Sequence, residues 1–171
     1  PLHTNGVAFG FALSGIFAGW YYIGQRVLKV SLKESPFLMA VAKLHFVLYF
    51  ITILLAVVTL FMGYTTSKEY AELEWPLDIL VVLWWVLWGI SIFGLIGIRR
   101  ERTLYISLWY FIATFIAVAM LYLFNNMEVP TALVSGYGSW LHSVSMYSGT
   151  NDALVQWWYG HNAVAFVFTT P

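Results

Sequence analysis

Long apolar runs alternate with short polar connections along the chain. Five runs are candidate membrane-spanning helices, and they cover residues 2–25, 42–64, 76–98, 103–124 and 153–170. A helix needs about 20 predominantly apolar residues to cross roughly 30 Å of hydrocarbon, and the first four runs reach that length. The last run stops short of a finished span, so we expect the sequence to be a fragment. The pattern predicts an all-α fold, a polytopic transmembrane helix bundle in a single membrane domain.

Basic residues are concentrated in alternate connections. Residues 26–36 contain an arginine and two lysines, and residues 99–102 contain three arginines. Residues 65–75 and 125–152 together contain a single lysine. Because cytoplasmic loops carry an excess of Lys and Arg, the pattern predicts that 26–36 and 99–102 face the cytoplasm. Connections 65–75 and 125–152 are then on the periplasmic or outer side.

The composition is that of a protein surrounded by lipid. Apolar residues make up 61% of the chain and charged residues 9%, too little polar surface to cover a soluble globule of 171 residues. The net charge is zero, and no basic patch supports a nucleic-acid partner. Cysteine is absent, which excludes disulfides, iron–sulfur clusters and covalently attached c-type haem within these residues.

His161 is the first residue that could carry chemistry. It lies eight residues into the fifth run, which places it roughly 12 Å below the outer surface. Ionisable side chains at that depth are rare and usually functional, and a neutral imidazole is a common ligand for copper and iron. A histidine that forms a hydrogen bond across a helix interface is an equally simple interpretation.

The other three histidines are weaker candidates. His3 shares the outer side with His161, as an electron-transfer site near that surface would require, but a histidine in a first turn is more often interfacial. His45 falls near the inner end of the second run and His142 in the long outer connection. Both are therefore predicted to be solvated or interfacial residues without an assigned role.

The carboxylates and the small residues of the sequence each have two interpretations. Glu69, Glu72 and Glu74 crowd one outer connection, where they fit either a hard cation such as calcium or a solvated acidic loop. Asp78, like Glu128 and Asp152, fits a helix cap or a proton relay. A stripe of small residues in the first run fits close helix packing or contact with a flat cofactor; its members are Gly6, Gly10, Ser14, Gly15 and Gly19.

Four segments together resemble one family. They are PLHTN at 1–5, GYTTSKEYAELEWPLDI at 63–79, NNMEVP at 125–130 and MYSGTNDALVQWWYGHNAVAF at 146–166. They resemble the catalytic subunit, subunit I, of cbb3-type cytochrome c oxidases, the C family of haem–copper oxidases. The resemblance implies a terminal respiratory oxidase that reduces dioxygen to water with electrons from cytochrome c, coupled to proton translocation.

The same resemblance implies cofactors, partners and roles for particular residues. The family carries a low-spin and a high-spin haem b and a copper ion called copper B, and it works in the bacterial inner membrane with c-type cytochrome subunits. His3 is similar to an axial ligand of the low-spin haem iron, and His161 to one of three histidines on copper B. Glu69 looks like a ligand of a calcium ion, and Glu72 like a polar neighbour of the active site.

The resemblance places some metal ligands outside these residues, and three other assignments are considered beside it. The remaining metal ligands lie outside these residues, so the fragment alone is not expected to be active. A nitric oxide reductase-like subunit would carry a glutamate soon after the copper histidine, whereas residues 162–165 read Asn, Ala, Val, Ala. Two further alternatives are a b-type cytochrome in which His3 and His161 bind one haem, and a proton-coupled transporter without metal.

Overall fold

The computed structural model describes residues 1–171 as a bundle of long helices with a small loop domain at one end. The elements in chain order are α1 (Leu2–Val27), α2 (Pro36–Phe61), α3 (Trp75–Gly97), α4 (Ile106–Asn125), β1 (Glu128–Pro130), α5 (Thr131–Ser135), β2 (Ser143–Ser145) and α6 (Thr150–Val164). A single 3₁₀ turn at Leu32–Glu34 precedes α2, and wider π-helical turns at Ala165–Thr169 continue α6. The predicted all-α helix bundle is confirmed.

The first four long helices, α1 to α4, are long and apolar enough to cross a membrane. Large apolar side chains remain exposed along all of them, which is the pattern of helices that face lipid or further helices. The chain is therefore a membrane protein. The fifth predicted span corresponds to α6 and its continuation, and its place within the bilayer stays a prediction.

Helix α2 begins well before the predicted span at residue 42. Ser35 is its N-cap, and its hydroxyl accepts a hydrogen bond from the Leu38 amide at 3.3 Å, while Pro36 occupies the first turn. Both residues favour helix initiation because they satisfy or remove backbone donors that have no partner there. The helix ends at Phe61, shortly before Gly63, whose φ of +87° favours glycine.

Tryptophan side chains form the centre of the bundle. Trp20 and Trp88 are fully buried, together with Ile92 and Leu95. The indole nitrogen of Trp20 donates to Ser91 Oγ at 3.1 Å, which joins α1 to α3. The cluster of Trp84, Trp85 and Trp88 is buried in this core. These three side chains therefore contribute to the packing of the core.

The four connections meet in pairs at opposite ends of the bundle. At the basic end, formed by residues 26–36 and 99–102, Lys29 pairs with Glu101 at 2.7 Å and Arg100 with Glu34 at 2.5 Å. At the loop end, formed by residues 65–75 and 125–152, the Trp75 indole donates to the Trp140 carbonyl at 2.7 Å. The connections therefore alternate between two ends, as the charge pattern requires. Which end faces the cytoplasm stays a prediction.

Strands β1 and β2 pair antiparallel within the loop end. Glu128 is opposite Ser145, and Pro130 is opposite Ser143. The Met146 amide extends the pairing to the Met127 carbonyl at 2.9 Å. The long polar connection is thus an ordered ribbon that closes over the end of α3 and α4.

Candidate metal centre

His161 lies on the face of α6 that points away from the rest of the chain. Its neighbour Tyr159 is buried on the opposite face, and Tyr159 Oη donates to the Tyr70 carbonyl at 2.7 Å. Two residues are about 200° apart around a helix, so burial of Tyr159 directs His161 outward. The His161 imidazole is exposed and has no hydrogen-bond partner. Both ring nitrogens are therefore available to a ligand or a metal ion.

His3 lies in the first turn of α1 and is also exposed, with no side-chain hydrogen bond. Helix α1 is open beyond it, because a Cβ atom added at Gly6 or Gly10 would meet nothing within 4 Å. The stretch Gly6–Ala12 forms wide π-helical turns, which are frequent at functional sites. A flat group can therefore approach the backbone of α1 directly beside His3.

The two predicted glutamates have different surroundings. Glu72 is buried, and its Oε2 accepts a hydrogen bond from Asn5 Nδ2 at 2.8 Å. The bond connects residues 65–75 to α1, two residues from His3. Glu69 is exposed and makes no hydrogen bond. The Oδ1 atom of Asn5 is buried without a hydrogen-bond partner. A donor from outside these residues would satisfy this acceptor.

An apolar cavity of about 120 Å³ lies between the helices. Phe9 and Leu13 line it from α1, and Ala56 from α2. Asn5 and Tyr70 border it at the loop end. Its lining is mostly apolar with a few polar groups, which is the composition typical of small-molecule and cofactor sites.

Glu74, one of the three carboxylates of the predicted acidic cluster, is buried and holds the loop end together. Glu74 is 6% exposed, and its Oε2 accepts from both the amide and the hydroxyl of Ser143 at 2.7 Å. Its Oε1 lies 2.8 Å from His142 Nδ1. His142 is thus a partner of Glu74 and not a free surface residue. We call Glu74, His142 and Ser143 the loop clasp.

Glu128 adds a second carboxyl group to the loop clasp. Its Oε2 is within hydrogen-bond distance of Ser143 Oγ, which already donates to Glu74. A hydroxyl has one hydrogen, so a protonated Glu128 would donate to Ser143 while Ser143 donates to Glu74. Burial raises the pKa of Glu128, and the nearby Glu74 carboxylate raises it further. The hydrogen bond with Ser143 and the charge of Lys68 lower the pKa in part, and the net shift of the Glu128 pKa is upward.

Lys68 is the single basic residue of the loop end, and it is buried. It is 1% exposed, its Nζ donates to the Asn125 carbonyl, and it pairs with Asp152 at 3.5 Å. Asp152 also accepts from Ser145 Oγ at 2.6 Å. Lys68 thus connects the end of α4 to the start of α6, the helix that carries His161. A sequence offers no direct signal for this, since a lone lysine in a loop is normally solvated.

Asp78 ties α3 to α4 and does not cap a helix. It accepts from Tyr122 Oη at 2.6 Å and from Asn126 Nδ2 at 3.0 Å. The N-cap of α3 is Glu74, four residues earlier. Of the two interpretations of Asp78, the cap is therefore wrong.

His45 is buried, so its prediction as a solvated or interfacial residue is wrong. It is 1% exposed and packs against Phe17 and Tyr49. The reason is the early start of α2 at Pro36, which moves His45 more than two turns into the bundle.

The predicted ligands are not assembled into one centre by these residues alone. No three His, Asp or Glu side chains come together as a metal-binding group, and no contact joins His3 to His161. Each imidazole is nevertheless free, exposed and on a helix of the bundle. The donor chemistry fits haem iron and copper, which proteins bind through imidazole nitrogen. Further ligands would have to come from outside the chain.

Comparison with known proteins identifies the family. A family model described as "Cytochrome C and Quinol oxidase polypeptide I" matches residues 1–171. The chain is 43% identical over 169 residues to the cbb3-type cytochrome c oxidase subunit CcoN1 of Stutzerimonas stutzeri, covering 99% of this chain and 33% of that protein. It is 38% identical to cytochrome c oxidase subunit 1 of Rhodobacter capsulatus, covering 99% of this chain and 30% of the relative.

The chain thus spans about a third of the length of these relatives. Their names favour neither a nitric oxide reductase-like subunit nor a b-type electron carrier. Members of this family carry haem and copper. The chain belongs to the family of subunit I polypeptides of haem–copper cytochrome c and quinol oxidases, and it is similar to the cbb3-type members.

Proposed function

We propose that this chain is part of the catalytic subunit of a terminal respiratory oxidase. The enzyme would reduce dioxygen to water with electrons from cytochrome c and couple the reaction to proton translocation. The observation that carries the proposal is the similarity over 99% of the chain to subunits named as cytochrome c oxidases, at 43% and 38% identity. The activity belongs to the whole subunit in its complex, of which these residues supply one part.

His161 is proposed as one histidine ligand of copper B. Its ring is free of hydrogen bonds and directed away from the buried face of α6, toward the position that further helices of the subunit would occupy. Tyr159 holds α6 in this rotation through its bond to the Tyr70 carbonyl. His161 is therefore preorganised to bind a metal without breaking a contact within the chain.

His3 is proposed as an axial ligand of the low-spin haem b. The open side of α1 at Gly6 and Gly10 leaves room for the plane of the macrocycle next to this ligand. Copper and the low-spin and high-spin b-type haems would supply the redox chemistry when bound. The chain contributes the ligands, their orientation and the exclusion of water.

Glu72 and Glu69 are proposed to act beside the metal centres. The Asn5–Glu72 hydrogen bond would hold residues 65–75 against the first turn of α1, so that movement of the loop and of His3 is coupled. Glu72 is then a polar neighbour of the active site. Glu69, whose carboxylate is exposed and unpaired, would serve as one ligand of a calcium ion.

The basic end is proposed to face the cytoplasm of a bacterial inner membrane, with the loop end in the periplasm. Its lysines and arginines support this orientation. Both proposed metal ligands would then lie toward the periplasmic side, where c-type cytochrome subunits of the same complex would deliver electrons. Lipid surrounds the apolar faces of α1 to α4 that no further subunit covers.

The activity is tested on the full-length subunit in its assembled complex. With reduced cytochrome c as donor, we expect rapid consumption of dioxygen and formation of water. Reduction of nitric oxide without consumption of dioxygen would contradict the oxidase assignment and favour the reductase-like alternative. His161→Ala serves as the matched control, because it should abolish turnover while the complex remains assembled.

A further inference from the structure

Lys68 is a buried cation that the proposed metal chemistry does not use. It is 1% exposed, although it lies in a loop. Lysines are almost never fully buried unless they are paired, and Lys68 has three partners. Its Nζ donates to the Asn125 carbonyl, pairs with Asp152 Oδ1 at 3.5 Å, and lies 5.4 Å from the centre of the Tyr147 ring. The ammonium group is therefore held in one place, since displacement would leave a buried charge without a partner.

Both oxygen partners of Lys68 lie at helix ends. Asn125 is the last residue of α4, and Asp152 is in the first turn of α6. The last carbonyls of a helix carry a partial negative charge, so a cation between this carbonyl and a carboxylate attracts both. The N-cap of α6 is Gly149, which has no side chain, so Asp152 makes the polar contacts of the first turn. Lys68 thus fixes the start of α6 against the end of α4.

Tyr159 forms a second polar contact between α6 and residues 65–75. Its hydroxyl donates to the Tyr70 carbonyl at 2.7 Å. Tyr159 follows Asp152 by seven residues, or two turns, so the two side chains lie within about 20° of each other around the helix. Tyr70 has a φ of +63°, in the left-handed region that is uncommon for a residue other than glycine. This tight turn presents the Lys68 side chain and the Tyr70 carbonyl to one stripe of α6.

His161 lies on the opposite side of α6. It follows Asp152 by nine residues, which corresponds to about 180° around the helix. Rotation of α6 by about 10° moves a side-chain atom at a radius of about 5 Å by about 1 Å. A metal site tolerates deviations of about 0.2 Å in its ligand distances, so even this rotation would disturb a bond to copper. Polar contacts resist the rotation because hydrogen bonds depend on angle, whereas apolar packing is not directional.

We infer that Lys68 is a positioning residue for His161, an inference that rests on the proposed function of His161 as a copper ligand. The ion pair with Asp152 fixes the rotation of α6, and the bond to the Asn125 carbonyl fixes its distance from α4. Lys68 itself touches no metal and acts through the helix. Removal of its charge should therefore weaken copper binding. Haem binding through His3 should not change, because no contact of Lys68 involves α1.

Copper affinity of the assembled complex tests this inference. Lys68→Met keeps a side chain of similar length and removes the charge. A Cu(I) chelator competes for copper in the reduced complex, and the copper and haem that remain are measured. We expect copper affinity roughly 10–10²-fold lower in Lys68→Met, the range for loss of a residue that orients a metal ligand, with wild-type haem content. The C–O stretching band of carbon monoxide bound to Cu(I) should also shift or broaden, which a loss of stability alone would not cause.

Asp152→Asn changes the other member of the ion pair. It removes the charge and keeps an oxygen for the Ser145 hydroxyl. It should lower copper affinity as Lys68→Met does. The double variant should bind copper no more weakly than the weaker single variant, because both changes remove the same ion pair. Asp152→Asn also decides the question if Lys68→Met does not assemble.

Two controls separate positioning from general stability. Lys33→Met makes the same change at an exposed lysine of the basic end, and Glu74→Ala weakens the loop clasp without touching α6. Both should keep wild-type copper affinity. Wild-type affinity in Lys68→Met or Asp152→Asn, additive losses in the double variant, or the same loss in either control would overturn the inference. If wild type holds no copper, or His161→Ala retains it, the proposed function fails and not the positioning role alone.

Discussion

Replacing Glu74 with alanine should open the loop end. The change removes two bonds from Ser143 at 2.7 Å and one contact with His142 at 2.8 Å. The His142 side chain is 44% exposed, so its ion pair contributes little. Hydrogen bonds to a charged acceptor contribute about 1.5–3 kcal/mol each, and two at the lower limit give a loss of about 3 kcal/mol. That loss raises the open population of the loop end roughly 10²-fold.

Hydrogen exchange measures this opening in the full-length subunit within its complex. The informative amides are those of Thr131 and Met146, which bond to the His142 and Met127 carbonyls and not to Glu74 itself. Their protection should fall by roughly 10²-fold in Glu74→Ala. Glu34→Ala, which breaks an exposed pair with Arg100 at the basic end, should leave both amides unchanged. Wild-type protection in Glu74→Ala would refute the role of the loop clasp.

Two further predictions concern pH and packing. Burial raises the pKa of Glu128 in the folded loop end. At pH values between the ordinary pKa of a glutamate and this raised pKa, the folded loop end therefore binds more protons than the unfolded one. The stability of the loop end should therefore fall as pH rises through that window and then level off. Hydrogen-exchange protection, corrected for the intrinsic exchange rate at each pH, measures this change. Glu128→Gln should make the corrected protection independent of pH in the same window. A Cβ added at Gly89 would lie 2.3 Å from Phe115 Cζ, so Gly89→Ala should destabilise the bundle by about 1–3 kcal/mol in detergent unfolding.

Each of these two predictions has a control. Gly97→Ala adds a Cβ on the same helix with nothing within 4 Å, so it should unfold like wild type. Equal losses in both glycine variants would mean that contact with Phe115 is not the cause. For the carboxyl group, a pH slope that persists in Glu128→Gln would assign it to another residue of the loop end.

The helices could be predicted from sequence because lipid requires long apolar runs, a strong and local signal. Boundaries were harder, since the start of α2 depends on the cap at Ser35 and not on hydropathy. The error at His45 follows directly from that boundary. A start at residue 42 puts His45 at a helix end, whereas the start at Pro36 puts it inside the bundle.

Long-range polar contacts could not be predicted in the same way. Glu74 and Ser143 are 69 positions apart, and nothing in either segment indicates the other as a partner. The same holds for Lys68 and the Asn125 carbonyl. His3 and His161 are predicted as metal ligands from short motifs around them, and that assignment stays a prediction. The structure adds that both imidazoles are exposed and unpaired.

The most direct test of the proposed copper site is the metal and haem content of the assembled complex with His161→Ala, measured beside wild type and His142→Ala. His142 is a histidine of the loop end that is bonded to Glu74 and proposed for no metal. We expect His161→Ala to lose copper and retain both b-type haems, and His142→Ala to retain all three. Full copper content in His161→Ala, or loss of the low-spin haem in its place, would contradict the assignment.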